Sequence, residues 1–149
     1  MENNTQPFLS AATTGDTTTI EKEYNQNNSI LTATTPSGST ALHLATLHNH
    51  LQVVQLLLNY GLHPSTTDHQ GQSALHVAAQ GSSTDIVDIL LKQGASCKAR
   101  DHDRKTPMSY AYVNPDLSIL ACFLDNAPVC GGCCTLTPEI FHRGNRAVG

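Results

Sequence analysis

The sequence predicts an all-α repeat solenoid, a stack of helix-turn-helix units joined by turns or short hairpins. Three observations carry this prediction. A four-residue phrase returns at a fixed spacing, as Thr40-Ala41-Leu42-His43, Ser73-Ala74-Leu75-His76 and Thr106-Pro107-Met108-Ser109, each copy 33 residues after the last. The residues after each phrase also correspond: Ala45, Val53-Val54, Leu56-Leu57-Leu58 and Gly61 return as Ala78-Ala79, Ile86-Val87, Ile89-Leu90-Leu91 and Gly94. Finally, units of this size fill nearly all of the 149 residues. Self-similarity at such a period marks a stacked array in which each unit buries its apolar face against its neighbours.

The units run in order. Stepping back 34 residues from Thr40 finds Gln6-Pro7-Phe8-Leu9, then Ala11-Ala12, Gly15-Asp16, Ile20 and Tyr24. Residues 1–35 therefore read as a degenerate first copy and its loop. Thr19, Glu21 and Glu23 replace apolar or neutral residues there, as an N-terminal cap facing water requires. The polar connection from Asn25 to Thr35 is one residue longer than its counterparts and is expected to be the loosest part of the array. Residues 36–67 and 68–100 are the two full copies. Residues 101–127 form a last copy with Ala111, Pro115, Ile119-Leu120, Cys122-Phe123-Leu124 and Ala127 in the place of Gly61 and Gly94. A tail rich in Cys and Gly occupies 128–149.

Within a unit the physics is consistent. Thr before Ala or Pro suits a helix start, since its hydroxyl can cap a free N–H and Pro fits the first turn. Leu75, Ala78 and Ala79 recur at i, i+3 and i+4 and make one buried stripe, with alanine allowing close helix approach. The bulkier stretches 51–59 and 84–92 end at Gly61 and Gly94, where a left-handed C-cap is needed. Asp68-His69-Gln70-Gly71 and Asp101-His102-Asp103-Arg104 read as tight turns between units.

Residues 5–127 resemble the ankyrin-repeat family, with its threonine-proline-leucine-histidine helix start and glycine-ended second helix. The resemblance implies a solenoid of stacked repeats that binds proteins on a concave surface of turn tips and exposed sides of first helices. His43 and His76 occupy the family's helix-start histidine, a structural position whose imidazole hydrogen-bonds neighbouring turns. Arg104 stands where the family has a glycine that takes positive φ. The substitution costs roughly 1 kcal/mol, and the turn is expected to change type. Ser109 replaces the histidine, and Pro115 replaces the interhelix glycine, a residue able to open the second helix. The apolar second helix of this last unit calls for a cover. The candidates are another molecule or the tail, in which Thr137-Pro138-Glu139-Ile140-Phe141 reads as a short capped helix.

Composition narrows the function. Net charge is −4 and no Lys/Arg run occurs, so the footprint of a nucleic-acid binder is missing. No secretory or membrane-spanning pattern is present, which predicts a cytoplasmic or nuclear chain. With five cysteines, two of them inside repeats at Cys97 and Cys122, no disulfide is required. No nucleophile elbow, paired carboxylates, phosphate-cradling loop or triad spacing appears, so no enzyme and no small-molecule substrate are predicted. His48, His50, His63, His69 and His102 lie in turns or at helix ends and compose no site. Cys130-Gly131-Gly132-Cys133-Cys134 with His142 could offer three zinc ligands, one fewer than a structural site wants. No metal or cofactor is assigned, and a metal- or redox-responsive tail stands as an alternative reading.

The leading expectation is a non-enzymatic adaptor or inhibitor, monomeric, with an unidentified protein partner. Carried over from the resemblance, the partner-binding residues are Ser37, Ser39, Leu47 and His48; His69, Gln70, Gln72 and Gln80; and His102, Asp103, Lys105, Val113 and Asn114. The turn histidines and glutamines would give a neutral, hydrogen-bonding surface. The phrases 40–44 and 73–79 are similar to repeats of inhibitor-of-NF-κB proteins, and the size is similar to cyclin-dependent-kinase inhibitors of the same fold. Thr106-Pro107-Met108-Ser109-Tyr110-Ala111 resembles a variant common in fungal arrays, which would suit an accessory protein of a metabolic pathway.

Overall fold

A computed structural model describes residues 5–126. These residues form four helix-turn-helix pairs: α1 (Gln6–Thr14) with α2 (Thr17–Gln26), α3 (Ala41–Leu47) with α4 (Leu51–Asn59), α5 (Ala74–Gln80) with α6 (Thr84–Lys92), and α7 (Pro107–Val113) with α8 (Leu117–Asp125). The first helices stack in the order α1, α3, α5, α7, and the second helices in the order α2, α4, α6, α8. The core lies between the two rows.

The division of labour in that core follows from side-chain size. First helices contribute Ala11, Ala12, Ala45, Ala78, Ala79 and Ala111, all buried, so their backbones approach closely. Second helices fill the space with Val53, Val54 and Leu57, then Ile86, Val87, Leu90 and Leu91, then Ile119 and Phe123. Each such aliphatic or aromatic side chain contributes about 1.5–3 kcal/mol on burial. The predicted stripes are therefore the observed ones.

Helix ends are set by local chemistry. The Asp16 carboxylate accepts from the Thr18 and Thr19 N–H groups and opens α2. Gly61 and Gly94 take φ of 94° and 87°, the left-handed conformation expected after α4 and α6. The last unit departs from expectation at Pro115, which does not open the second helix. Asp116 is the N-cap, accepting from Ser118 N–H, and α8 begins at Leu117. Pro115 instead excludes helical geometry at Asn114, which is extended. The polar connection after α2 is also more structured than its composition suggests. Residues Asn28–Thr32 form a 3₁₀ turn that buries Ile30 in the core.

The turns between units share one geometry. Gly38 N–H donates to Thr35 O, Gly71 N–H to Asp68 O and Arg104 N–H to Asp101 O, at 2.8, 3.0 and 2.9 Å. Each turn is closed by a second bond, from Thr35, Asp68 and Asp101 N–H to Ser39, Gln72 and Lys105 O. Successive turns are tied by His69 N–H to Ser37 O and His102 N–H to Gln70 O, both 3.0 Å. The expected change of turn type at Arg104 does not occur. Arg104 adopts φ 63° and keeps the bond pattern of the glycine turns. The reason for tolerance is steric. A Cβ at Gly38 would lie 2.4 Å from His69 Cδ2, and one at Gly71 would lie 2.9 Å from His102 Cδ2. The 101–105 turn is the last among the described residues, so no later turn's histidine lies over Arg104 there. What is left is backbone strain of roughly 1 kcal/mol.

Cys97 is buried in the core. Cys122 is a free thiol.

Candidate protein-binding face

The histidines of the helix-start phrase are the joints of the scaffold. His43 Nδ1 accepts from the Thr40 backbone N–H at 3.2 Å and lies 2.9 Å from its hydroxyl. On the other side of the ring, Nε2–H donates to Gln72 O in the next unit at 2.8 Å. His76 repeats this with Ser73 and with Lys105 O at 3.1 Å. Burial pushes the His43 imidazole below its usual pKa, with the bond to Gln72 opposing that shift. Both rings are consumed by architecture. Their absence from the expected contact residues is consistent with this placement.

His50 is likewise structural. Its Nε2–H donates to Thr13 O at 2.9 Å, and its ring lies against Gly15. The turn histidines His69 and His102 have a double character. Each is exposed, yet each ring edge lies over the glycine of the preceding turn. Sequence reasoning treated them as contact residues and missed this packing. The signal was available in the register, since each follows the preceding glycine at one constant separation, Gly38 to His69 and Gly71 to His102.

The remaining expected contact residues divide by exposure. Ser37, Leu47, His48, Gln70, Gln80, Asp103, Lys105 and Val113 are exposed. Leu47, Gln80 and Val113 occupy equivalent positions on α3, α5 and α7. Leu47 is 66 % exposed and Val113 75 %, a large apolar display for positions one helical turn from a packed core. One turn earlier on the same helices stand Leu44, Val77 and Tyr110, each half-buried. Ser39, Gln72 and Asn114 are half-buried and committed within the fold. Ser39 Oγ sits 3.3 Å from Ser37 Oγ. The Asn114 amide donates to Ala79 O and Gly81 O at 2.9 and 2.7 Å, tying α7 to α5.

Tyr110 is the residue that sequence reasoning overlooked. Its hydroxyl donates to Asp101 Oδ2 at 2.5 Å and accepts from the Gln72 amide at 3.4 Å. Its ring meets His76 edge-on and carries Lys105 Nζ 5.5 Å from its centroid. Asp101 Oδ1 accepts from the Asp103 and Lys105 N–H groups, each at 2.9 Å. Burial raises the Asp101 pKa, but the bonds from Tyr110, Lys105 and Asp103 outweigh it and hold the carboxyl below the usual range. The same contact with Asp101 pushes the Tyr110 phenol up. A lone Tyr where the other units have Leu44 and Val77 carried no periodic signal.

The repeat pattern, the four stacked helix pairs and the histidine joints all converge on one family. The family model for ankyrin repeats (3 copies) matches residues 2–101 and 64–133. This chain belongs to the ankyrin-repeat family. No curated protein matches it. Ankyrin repeats are in general protein–protein interaction modules and typically non-enzymatic. Among the described residues, no group of His, Cys, Asp or Glu is disposed to hold a metal ion, and no helix is long and apolar enough to cross a membrane. The Cys130, Cys133, Cys134 and His142 cluster and the 137–141 segment of this ankyrin-repeat chain lie outside the described residues. The Cys122 thiol donates to Thr84 O and is pushed up in pKa by burial, a setting that suppresses thiolate reactivity.

Proposed function

We propose that this ankyrin-repeat chain acts as a non-enzymatic adaptor or inhibitor. It would hold a protein segment along the turn tips and the exposed side of the first helices. The observation that carries this reading is the column of Leu47, Gln80 and Val113, open to solvent on three consecutive first helices. Equivalent positions on a stacked array form a continuous strip. Their side chains are free to vary because the Ala stripe and the His joints already satisfy packing. Tips built from Ser37, His69, Gln70 and His102 add hydrogen-bonding groups beside it.

The test is affinity capture with the intact chain and with two variants, Leu47→Asp/Val113→Asp and His69→Ala/Gln70→Ala/Gln72→Ala. The expected result is one enriched protein, lost from both variants while their helical circular dichroism is unchanged. Capture that both variants retain would remove the proposal. Cytoplasmic or nuclear residence and a monomeric state go with this reading. Sedimentation of the pure chain checks the latter.

A further inference from the structure

The last turn differs from the others in charge and in strain, and both differences fall on adjacent residues. Arg104 holds φ 63° where Gly38 and Gly71 hold 79° and 75°. Glycine would adopt this conformation without the Cβ penalty, and no described contact of Arg104 compensates for it. Its side chain is exposed. Lys105 is exposed too, with its ammonium group over the Tyr110 ring, and that ring is fixed by Asp101 and Gln72. Neither cation forms an ion pair among the described residues; the ion pair found there joins Lys92 and Asp88 on α6. The earlier tips, Pro36-Ser37 and His69-Gln70, carry no fixed charge. Of the nearby acids, Asp101 is buried and takes up three donors, and Asp103 is exposed beside Arg104. Two solvent-facing cations thus stand against one exposed carboxylate at this tip.

Residues held in sparsely populated backbone conformations concentrate where function requires them. We infer that Arg104 and Lys105 form a carboxylate-reading end of the binding face, taking an Asp or Glu side chain of the bound protein segment. The guanidinium supplies a planar pair of donors that matches a carboxylate. The ammonium, positioned over an anchored ring, supplies a second charge at a set place. A single carboxylate fits better than a polyanion, because the whole chain carries a net charge of −4 and repels extended negative charge. The inference rests on the proposed protein-binding function and adds to it the chemistry of one end of the partner.

The test is selection of a displayed random-peptide library on the intact chain, followed by titration of one selected peptide and its Asp→Asn/Glu→Gln counterpart. Peptides lost on His69→Ala/Gln70→Ala/Gln72→Ala are retained for analysis. The expected result is enrichment of Asp and Glu at one peptide position, with about tenfold weaker binding of the amide counterpart. A similar loss is expected for Arg104→Ala and Lys105→Gln, with Arg104→Lys between. Arg104→Ala keeps a Cβ at the same φ, so unchanged thermal unfolding separates a binding loss from a folding one. Face-dependent peptides without acidic enrichment, or acidic peptides indifferent to both variants, would overturn the inference and leave the protein-binding function standing. A selection that yields no face-dependent peptide would count against both.

Discussion

His43 Nε2–H donates to the carbonyl oxygen of Gln72 at 2.8 Å, a bond that leaves the second unit and ends on the turn of the third. On the same ring Nδ1 accepts from Thr40 N–H. One imidazole therefore starts its own helix and fastens the next turn. His76 does the same between the third unit and Lys105 O.

Replacing His43 or His76 by Ala leaves the Thr40 or Ser73 N–H at the helix start without its acceptor and removes one of the two donors to the Gln72 or Lys105 carbonyl. The expected cost is about 2–3 kcal/mol each, read as a lower urea midpoint. The two losses add to within about 0.5 kcal/mol only if the joints are independent, and a double variant measures their coupling.

The His43 joint also sets a pH response. Its imidazole pKa is lowered in the folded chain, so the unfolded chain binds the proton more readily. Its contribution is fully present above the unfolded value of about 6.5 and is lost as pH falls below it. Urea midpoints taken from neutral toward pH 5 are expected to drop, and the drop is expected to shrink in His43→Gln.

Glycines at positive φ fall into two classes. Gly61 and Gly94 have open space where a Cβ would stand, whereas Gly38 and Gly71 meet the His69 and His102 rings. Gly61→Ala and Gly94→Ala are expected to cost about 1 kcal/mol, the backbone penalty alone. Gly38→Ala and Gly71→Ala are expected to cost about 2–3 kcal/mol, because strain and overpacking combine. Equal losses across the four would show that the turn stack yields freely.

Arg104→Gly gives the reverse case. Strain relief of about 1 kcal/mol opposes an unfolded-chain entropy gain of about the same size, so stability is expected to be unchanged or slightly raised. Asp103→Gly, at an ordinary backbone position beside it, is expected to be destabilising. Thermal unfolding of the two variants in parallel distinguishes them.

Tyr110→Phe removes the hydroxyl bonded to Asp101 and Gln72, with an expected cost of about 1 kcal/mol at this half-buried site. Asp101 is held below the ordinary carboxyl pKa in the folded chain. Its contribution is present above the unfolded value of about 3.9 and lost as pH falls below it. The acid transition of Tyr110→Phe is therefore expected to be shallower than that of the native chain.

The fold was legible because its determinants are periodic. Ala45 and Ala78, Val53 and Ile86, and Gly61 and Gly94 repeat at one spacing, and each matches its role in the structure. The non-periodic residues were harder to read. Tyr110 has no counterpart, so only its three-dimensional placement beside Asp101, Gln72 and Lys105 reveals a network. Asn114 looked like a surface residue, because nothing local foretells that its amide crosses to Ala79 and Gly81. Ile30 was hidden in a polar stretch, where one buried side chain and a 3₁₀ turn were enough to give order.

The chain lacks tryptophan and has four tyrosines, and their positions make the array self-reporting. Tyr24 of α2 stacks on Tyr60 just beyond α4, with centroids 3.9 Å apart and planes 10° from parallel. This pair is broken when the first unit lifts away. Tyr110 senses the opposite end through its charged acceptor. An aromatic exciton signal in near-ultraviolet dichroism and a shift in phenol absorbance thus watch separate ends of one molecule. If the two optical signals melt at different denaturant concentrations, the stack unzips in order, and the earlier signal identifies the end that opens first.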